Sequence, residues 1–226
     1  MSYIKRVYLL ILFLVALSLH AQENFTSYLQ PQVAINYKVS SFYTHNFSLE
    51  NRNYTIESGE SRFRVRHLHL AHFSNLKIKD NQSIALGIQY RFRQAFDDGS
   101  NELRLTQQYN LTKQALVTRF GHRLRTEQRI TKNLTTHRFR YRFSMDFPLR
   151  GERLDVGEPY LVGNWESLLS VAKTKLPEYD QRFTLNLGWL LTKKTKFQVG
   201  AEYRFEDFTH QTQHVLFLLT TFNISL

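Results

Sequence analysis

The sequence predicts an all-β chain: one antiparallel transmembrane β-barrel of about 10–12 strands, preceded by a cleavable signal peptide. Three observations lead there. First, Thr136–Leu149 alternates with a period of two. His137, Phe139, Tyr141, Phe143, Met145 and Phe147 share one face of the strand, and Arg138, Arg140, Arg142, Ser144 and Asp146 share the other. An aromatic face against an arginine face is the contrast demanded where one side meets lipid and the other a wet interior. Second, the 226 residues have a mean hydropathy of −0.40. Past Leu19 no apolar run is long enough for a spanning helix, so a membrane-embedded form must be a barrel. Third, the chain opens on Lys5 and Arg6, an apolar run over Val7–Leu19, and Ala21 before a cut, which reads as an export signal over residues 1–21. Residues 22–226 then form the barrel.

Eleven strand-like segments follow, at roughly 26–38, 42–55, 62–76, 83–95, 102–111, 114–127, 135–148, 158–170, 180–191, 195–207 and 213–226. Tight connections are expected at Val39–Ser41, Lys77–Gln82, Leu111–Lys113 and Thr192–Lys194. Longer polar ones are expected at Glu57–Ser61, Asp97–Asn101, Gln128–Leu134, Ala172–Asp180 and Asp207–Gln213. The alternation matches short periplasmic turns and longer outer loops, with the charged Arg150–Pro159 as the exception. A barrel with both ends in the periplasm needs an even strand number. That leaves Thr26–Lys38 to pair at the seam, enter the lumen or split to give twelve. Near Arg66–His67 the alternation falters, as a β-bulge would make it. Ala85, Gly87, Gly121, Gly188 and Gly200 fall on the arginine face, where they leave room for long side chains of neighbouring strands. Phe222, Ile224 and Leu226 give the last strand an apolar face. That is similar to the terminal signal read by the outer-membrane assembly machinery, although the end is Leu and not aromatic.

Three arginines on one lipid-facing strand would cost roughly 6–12 kcal/mol, comparable to a domain's whole stability. The arginine face therefore points inward. The lumen set is Arg91, Arg93, Arg104, Arg119, Arg123, Arg125, Arg138, Arg140, Arg142, Arg182 and Arg204, with Glu102, Glu127, Asp146, Glu166, Glu202 and Glu206. Like charges about 7 Å apart along a strand repel by about 2.4 kcal/mol at an effective dielectric near 20, so the row needs carboxylates, water or counter-ions. Two arrangements satisfy it: a salt-bridge lattice filling a narrow barrel, or a cationic passage for a small anionic solute.

Other features carry less. His67, His69 and His72 lack a carboxylate third ligand and read as interfacial histidines, and no metal or cofactor is expected. Asp97–Asn101 lacks calcium-loop spacing and reads as a turn. Ser144 and His137 fall on opposite faces, so no Ser–His pair supports catalysis, and no catalytic residue is assigned. The absence of cysteine removes disulfides and thiol chemistry. The formal charge is +11, and +9 once Lys5 and Arg6 leave (28 basic against 19 acidic residues). The export signal and the confinement of the arginines to one strand face argue against a nucleic-acid partner, and none is expected.

The strings H-R-L-R-T-E-Q-R (His122–Arg129), H-R-F-R-Y-R-F-S-M-D-F-P-L (His137–Leu149), Glu166, D-Q-R-F-T-L-N-L-G-W (Asp180–Trp189) and G-A-E-Y-R (Gly200–Arg204) occur in that order. Together they resemble the domain-of-unknown-function 2490 family of outer-membrane β-barrel proteins, over essentially the mature chain. The resemblance implies an integral barrel in the outer membrane of a Gram-negative bacterium, in contact with outer-membrane lipid. It implies no established activity and carries over no catalytic residue. The function expected is structural or that of a narrow anion-favouring pore. The alternatives are a lipid-modifying enzyme and a barrel whose outer loops bind a partner.

Overall fold

The computed structural model describes residues 25–57 and 59–226. The expected signal peptide lies outside them. Eleven strands close into one barrel: β1 (Phe25–Lys38), β2 (Tyr43–Glu57), β3 (Glu60–Lys79), β4 (Gln82–Phe92), β5 (Glu102–Ala115), β6 (Thr118–Ile130), β7 (Thr135–Pro148), β8 (Pro159–Ala172), β9 (Lys175–Thr192), β10 (Thr195–Glu206) and β11 (Gln213–Ser225). Every neighbouring pair is antiparallel except one. β1 lies parallel to β11, from Phe25↔His214 to Asn36↔Ser225. The expectation of an even strand number is therefore corrected. Gln30, Gln32 and Asn36 on one face of β1, and Leu29, Val33 and Ile35 on the other, continue the two walls of the barrel. That makes β1 a wall strand, and its parallel ladder to β11 removes both sheet edges. The starts of β1 and β11 share one mouth, called upper below, and their ends share the lower mouth.

Two connections also differ from expectation. β5 continues through Leu111–Lys113 and turns at Leu116, whose φ is 54° and whose side chain is 97% exposed. Thr112↔Gly121 and Lys113↔Phe120 pair across this extension, so the ladder outweighs the turn propensity of Asn110. Ala172–Asp180 is a tight hairpin and not a long loop, because Lys175–Asp180 already pairs with β8. The bulge expected near Arg66–His67 is present, where Arg52 pairs His67 but Asn53 pairs Val65.

The outer wall is apolar along most strands. Across β8, β9, β10, β11 and β1 one row reads Gly163, Leu185, Ala201, Leu218, Leu29. At its lower end the rings of Trp189, Phe197 and Phe222 pack together. The polar side chains on this wall bond one another: Thr126 Oγ1 donates to Gln107 Oε1 at 2.6 Å, and Trp165 Nε1 donates to Gln181 Oε1 at 2.6 Å. Such internal pairing is what hydrocarbon contact requires.

Inside, the glycines do not make room for arginines. Each is filled by the residue directly opposite: Phe73 over Gly87, Tyr160 over Gly188, Asn186 over Gly200 and Ser144 over Gly121. A Cβ on Gly87 would meet the Phe73 ring. Gly87→Val is expected to lose about 1–3 kcal/mol by overpacking. The double variant with Phe73→Ala should recover part of that loss in urea unfolding, whereas equal losses in the two would show the ring to be irrelevant.

Candidate functional site: the arginine-lined lumen

A cavity of about 1050 Å³ runs inside the barrel. Gln213, Asp207 and Glu178 border it at the upper mouth, and Asn36, Thr44, Asn75 and Asn223 at the lower. Alternation turns every second residue of each strand toward it. The interior falls into three zones.

The upper zone lies at the seam. Tyr28, Tyr54, Val215 and Phe217 form a buried cluster. Guanidinium groups stack on it: Arg204 Cζ lies 3.8 Å from the centre of the Phe217 ring, Arg52 4.7 Å from the same ring, and Arg64 4.4 Å from that of Tyr54. The β4–β5 loop folds onto this zone through Asp97, which accepts from Arg64 Nη1 at 2.7 Å and from the Tyr54 hydroxyl at 3.1 Å. Partial burial would raise the Asp97 carboxyl, but these bonds outweigh it and hold the group at about 2 against an ordinary 3.8. A depressed carboxyl stabilises the tie above its ordinary value and loses that contribution as pH falls through the lowered one. The loop is therefore expected to stay docked at pH 4 and to release toward pH 2, read as faster amide exchange over residues 93–101. Asp97→Asn should release it already at neutral pH.

The middle zone is the salt-bridge lattice. Glu166 receives Arg140 at 2.7 Å, Arg142 at 3.1 Å and Arg182 at 3.8 Å. Glu127 receives Arg140 at 2.8 Å and Arg125 at 3.4 Å. Glu102 receives Arg104, Arg129 at 2.6 Å and Arg91 at 3.6 Å. Glu202 receives Arg204 at 2.5 Å, and Glu206 receives the same arginine at 3.3 Å. Arg138 donates to Ser170 Oγ at 3.0 Å, and Arg123 to Asn110 Oδ1 at 3.1 Å. Neither has a carboxylate partner among the described residues. Arg93 stands at the upper mouth, 3.4 Å from Asp97. The lower zone is mostly amides and hydroxyls, with Arg119 2.9 Å from Asp146.

All eleven arginines of the expected lumen set border the cavity, as do Glu202 and Glu206, whereas Glu102, Glu127, Asp146 and Glu166 bond those arginines from within the lattice. Several members escaped the sequence reading. Arg129 fell in a segment read as loop. Glu50, Arg52 and Arg66 fell where the bulge and polar residues on both faces blur the alternation. Tyr28 and Phe217 are aromatics turned inward, against the pattern, and nothing in the sequence marks them apart from the arginines they carry.

His67 and His69 are not interfacial. They lie inside the barrel, His67 1% exposed, with Glu50 3.9 Å and 3.8 Å from them. Below the bulge the odd-numbered residues of β3 face inward, which turns both rings to the lumen and leaves His72 on the outer wall against His45 at 2.9 Å. Among the described residues no group of three or more His, Cys, Asp and Glu side chains is arranged to hold a metal ion. Asp97–Asn101 forms a loop whose first carboxylate is taken by Arg64. The hydroxyl nearest a histidine with an acid at hand is Thr209, but it and Asp207 both meet Nδ1 of His210, so the ring cannot relay a proton between them.

The model of the family described as Protein of unknown function (DUF2490) matches residues 31–215. The chain belongs to that family. The DUF2490 match runs from β1 into β11 and so takes in all three zones of the lumen. No curated protein matches this DUF2490 chain. Among solved structures it is similar to OmpTdeltaL8, a loop L8 deletion mutant of OmpT, an outer membrane protein of Vibrio cholerae. The identity is 11% and the TM-score 0.41, over 73% of this chain and 57% of that one. The DUF2490 chain thus spans little more than half the length of that protein.

Proposed function

We propose that this DUF2490 member is an integral outer-membrane barrel whose lumen is a narrow, anion-favouring passage. The single observation that carries the reading is the imbalance of charge around a cavity bordered at both mouths. Fourteen arginines and six carboxylates border it, and the five carboxylates behind them (Asp97, Glu102, Glu127, Asp146, Glu166) still leave an excess of three positive charges. A confined low-dielectric channel with that excess raises the local anion concentration. The apolar outer wall supports lipid as the surrounding medium, and the C-terminal strand with Phe222 and Ile224 outward supports delivery by the outer-membrane assembly machinery. A lipid-modifying role finds no Ser–His hydrogen bond among the described residues. The segment Ala172–Asp180, expected as one of the longer outer loops that could bind a partner, is strand and turn.

The test is single-channel recording in a planar bilayer under a tenfold chloride gradient. A reversal potential of the sign for chloride over potassium supports the passage. A silent barrel that is inserted and folded would reduce the lumen to a structural lattice.

A further inference from the structure

The passage leaves one part of its wall under-neutralised, on the inner faces of β6, β7 and β8. Arg123 and Arg142 stand directly opposite each other on neighbouring strands, with Glu166 next in the same row. Like charges so placed repel. Arg123 donates through Nε to neutral Asn110, and its two Nη groups meet no partner among the described residues. Arg142 donates through Nε to Glu166 and likewise leaves both Nη groups free. Glu166 does not serve Arg142 alone, because its Oε1 takes Arg142 while its Oε2 takes Arg140 and Arg182. The next inward row toward the lower mouth reads Gly121, Ser144, Asn164. Gly121 has no side chain, Ser144 Oγ leans over it and donates to the Gly121 carbonyl at 3.3 Å, and the Asn164 amide borders the cavity without a partner among the described residues. Four unpartnered guanidinium Nη groups thus stand above the free Asn164 amide, within reach of water.

Guanidinium groups presented in pairs match the geometry of phosphate oxygens better than a spherical halide. Resting on the anion-favouring reading of this lumen, we propose that Arg123 and Arg142, with the Asn164 amide below them, form a binding site for a doubly charged tetrahedral oxyanion of the phosphate class. A dianion there supplies the charge that Glu166 cannot. Asn110 acts as a positioning residue, since holding Nε of Arg123 turns its Nη edge free.

The experiment is calorimetric titration of the folded mature chain in detergent with inorganic phosphate, at pH 7.5, with chloride replaced at constant ionic strength. Saturable binding of one phosphate per chain is expected. Arg123→Gln and Arg142→Gln should each weaken it at least tenfold, while Arg93→Gln at the upper mouth leaves it unchanged. Should Arg142→Gln fail to fold, Arg123→Gln decides, because Arg123 has no carboxylate partner to leave behind. Glycerol 3-phosphate as a second titrant separates the sources: tighter binding than inorganic phosphate assigns the site to a phosphate monoester, weaker binding to the free ion. Heats indistinguishable from those of chloride, or equal weakening by Arg93→Gln and Arg123→Gln, would overturn the site. Anion-biased conductance without phosphate binding removes the site and leaves the passage. Phosphate binding in a non-conducting barrel removes the passage and leaves the site.

Discussion

Glu166→Ala is expected to destabilise the barrel by about 3–5 kcal/mol, the largest loss from any single lumen change. The side chain is 5% exposed and takes three guanidinium groups, with Arg140 and Arg142 at hydrogen-bond distance. Removing it leaves Arg142 with no carboxylate, and Arg140 and Arg182 with one each, Glu127 and Asp180. Glu127 is itself fully buried, and its Oε1 already takes Arg140 and Arg125 while its Oε2 has no partner among the described residues. Glu206 supplies the contrast. Its side chain is 34% exposed and pairs with one arginine at 3.3 Å, so Glu206→Gln should stay within about 1 kcal/mol. Urea unfolding at low salt measures both, and added salt should restore part of the Glu166→Ala loss by screening. A loss below about 1 kcal/mol for Glu166→Ala would mean that water in the cavity, and not the lattice, carries the arginine charge.

Why the arginine lattice was legible in the sequence and the upper zone was not follows from burial physics. On β6, β7 and β10 each strand presents mostly apolar side chains on one side and charge on the other, so the period of two writes both walls plainly. On β2 and β3 the walls rise past the apolar band, both faces turn polar, and a bulge changes the parity at Arg66. Glu50 opposite His69 becomes visible only once that register is known. Tyr28 and Phe217 face inward because stacked guanidinium groups can cover aromatic faces, which an alternation rule cannot foresee. Seam pairing was one of the placements open to Thr26–Lys38, but its parallel direction was hidden for a different reason. Parallel closure depends on the pairing partner of β1, and pairing partners are not written in one strand's pattern. The glycines were legible as small residues on the inner face. Their use was not, since only the register places Phe73 over Gly87.

Leu185→Arg is expected to cost about 2–4 kcal/mol in a bilayer, and it tests the surroundings of the outer wall. Leu185 is 56% exposed in mid-strand, flanked along β9 by Phe183 and Leu187 and across the sheet by Gly163 and Ala201. Nothing in that row offers a carboxylate, so a guanidinium there must be dehydrated or drag water into hydrocarbon. In water an exposed leucine on a sheet would accept the same change at little cost. Gln32→Arg on the inner face of β1 adds the same group to the wet side, and its effect should be far smaller. The pair of variants therefore reads the two walls against each other with one side chain. Unfolding from lipid vesicles gives the difference directly. Equal tolerance at 185 and 32 would mean that hydrocarbon does not contact the wall. The arginines would then owe their inward direction to the carboxylates alone.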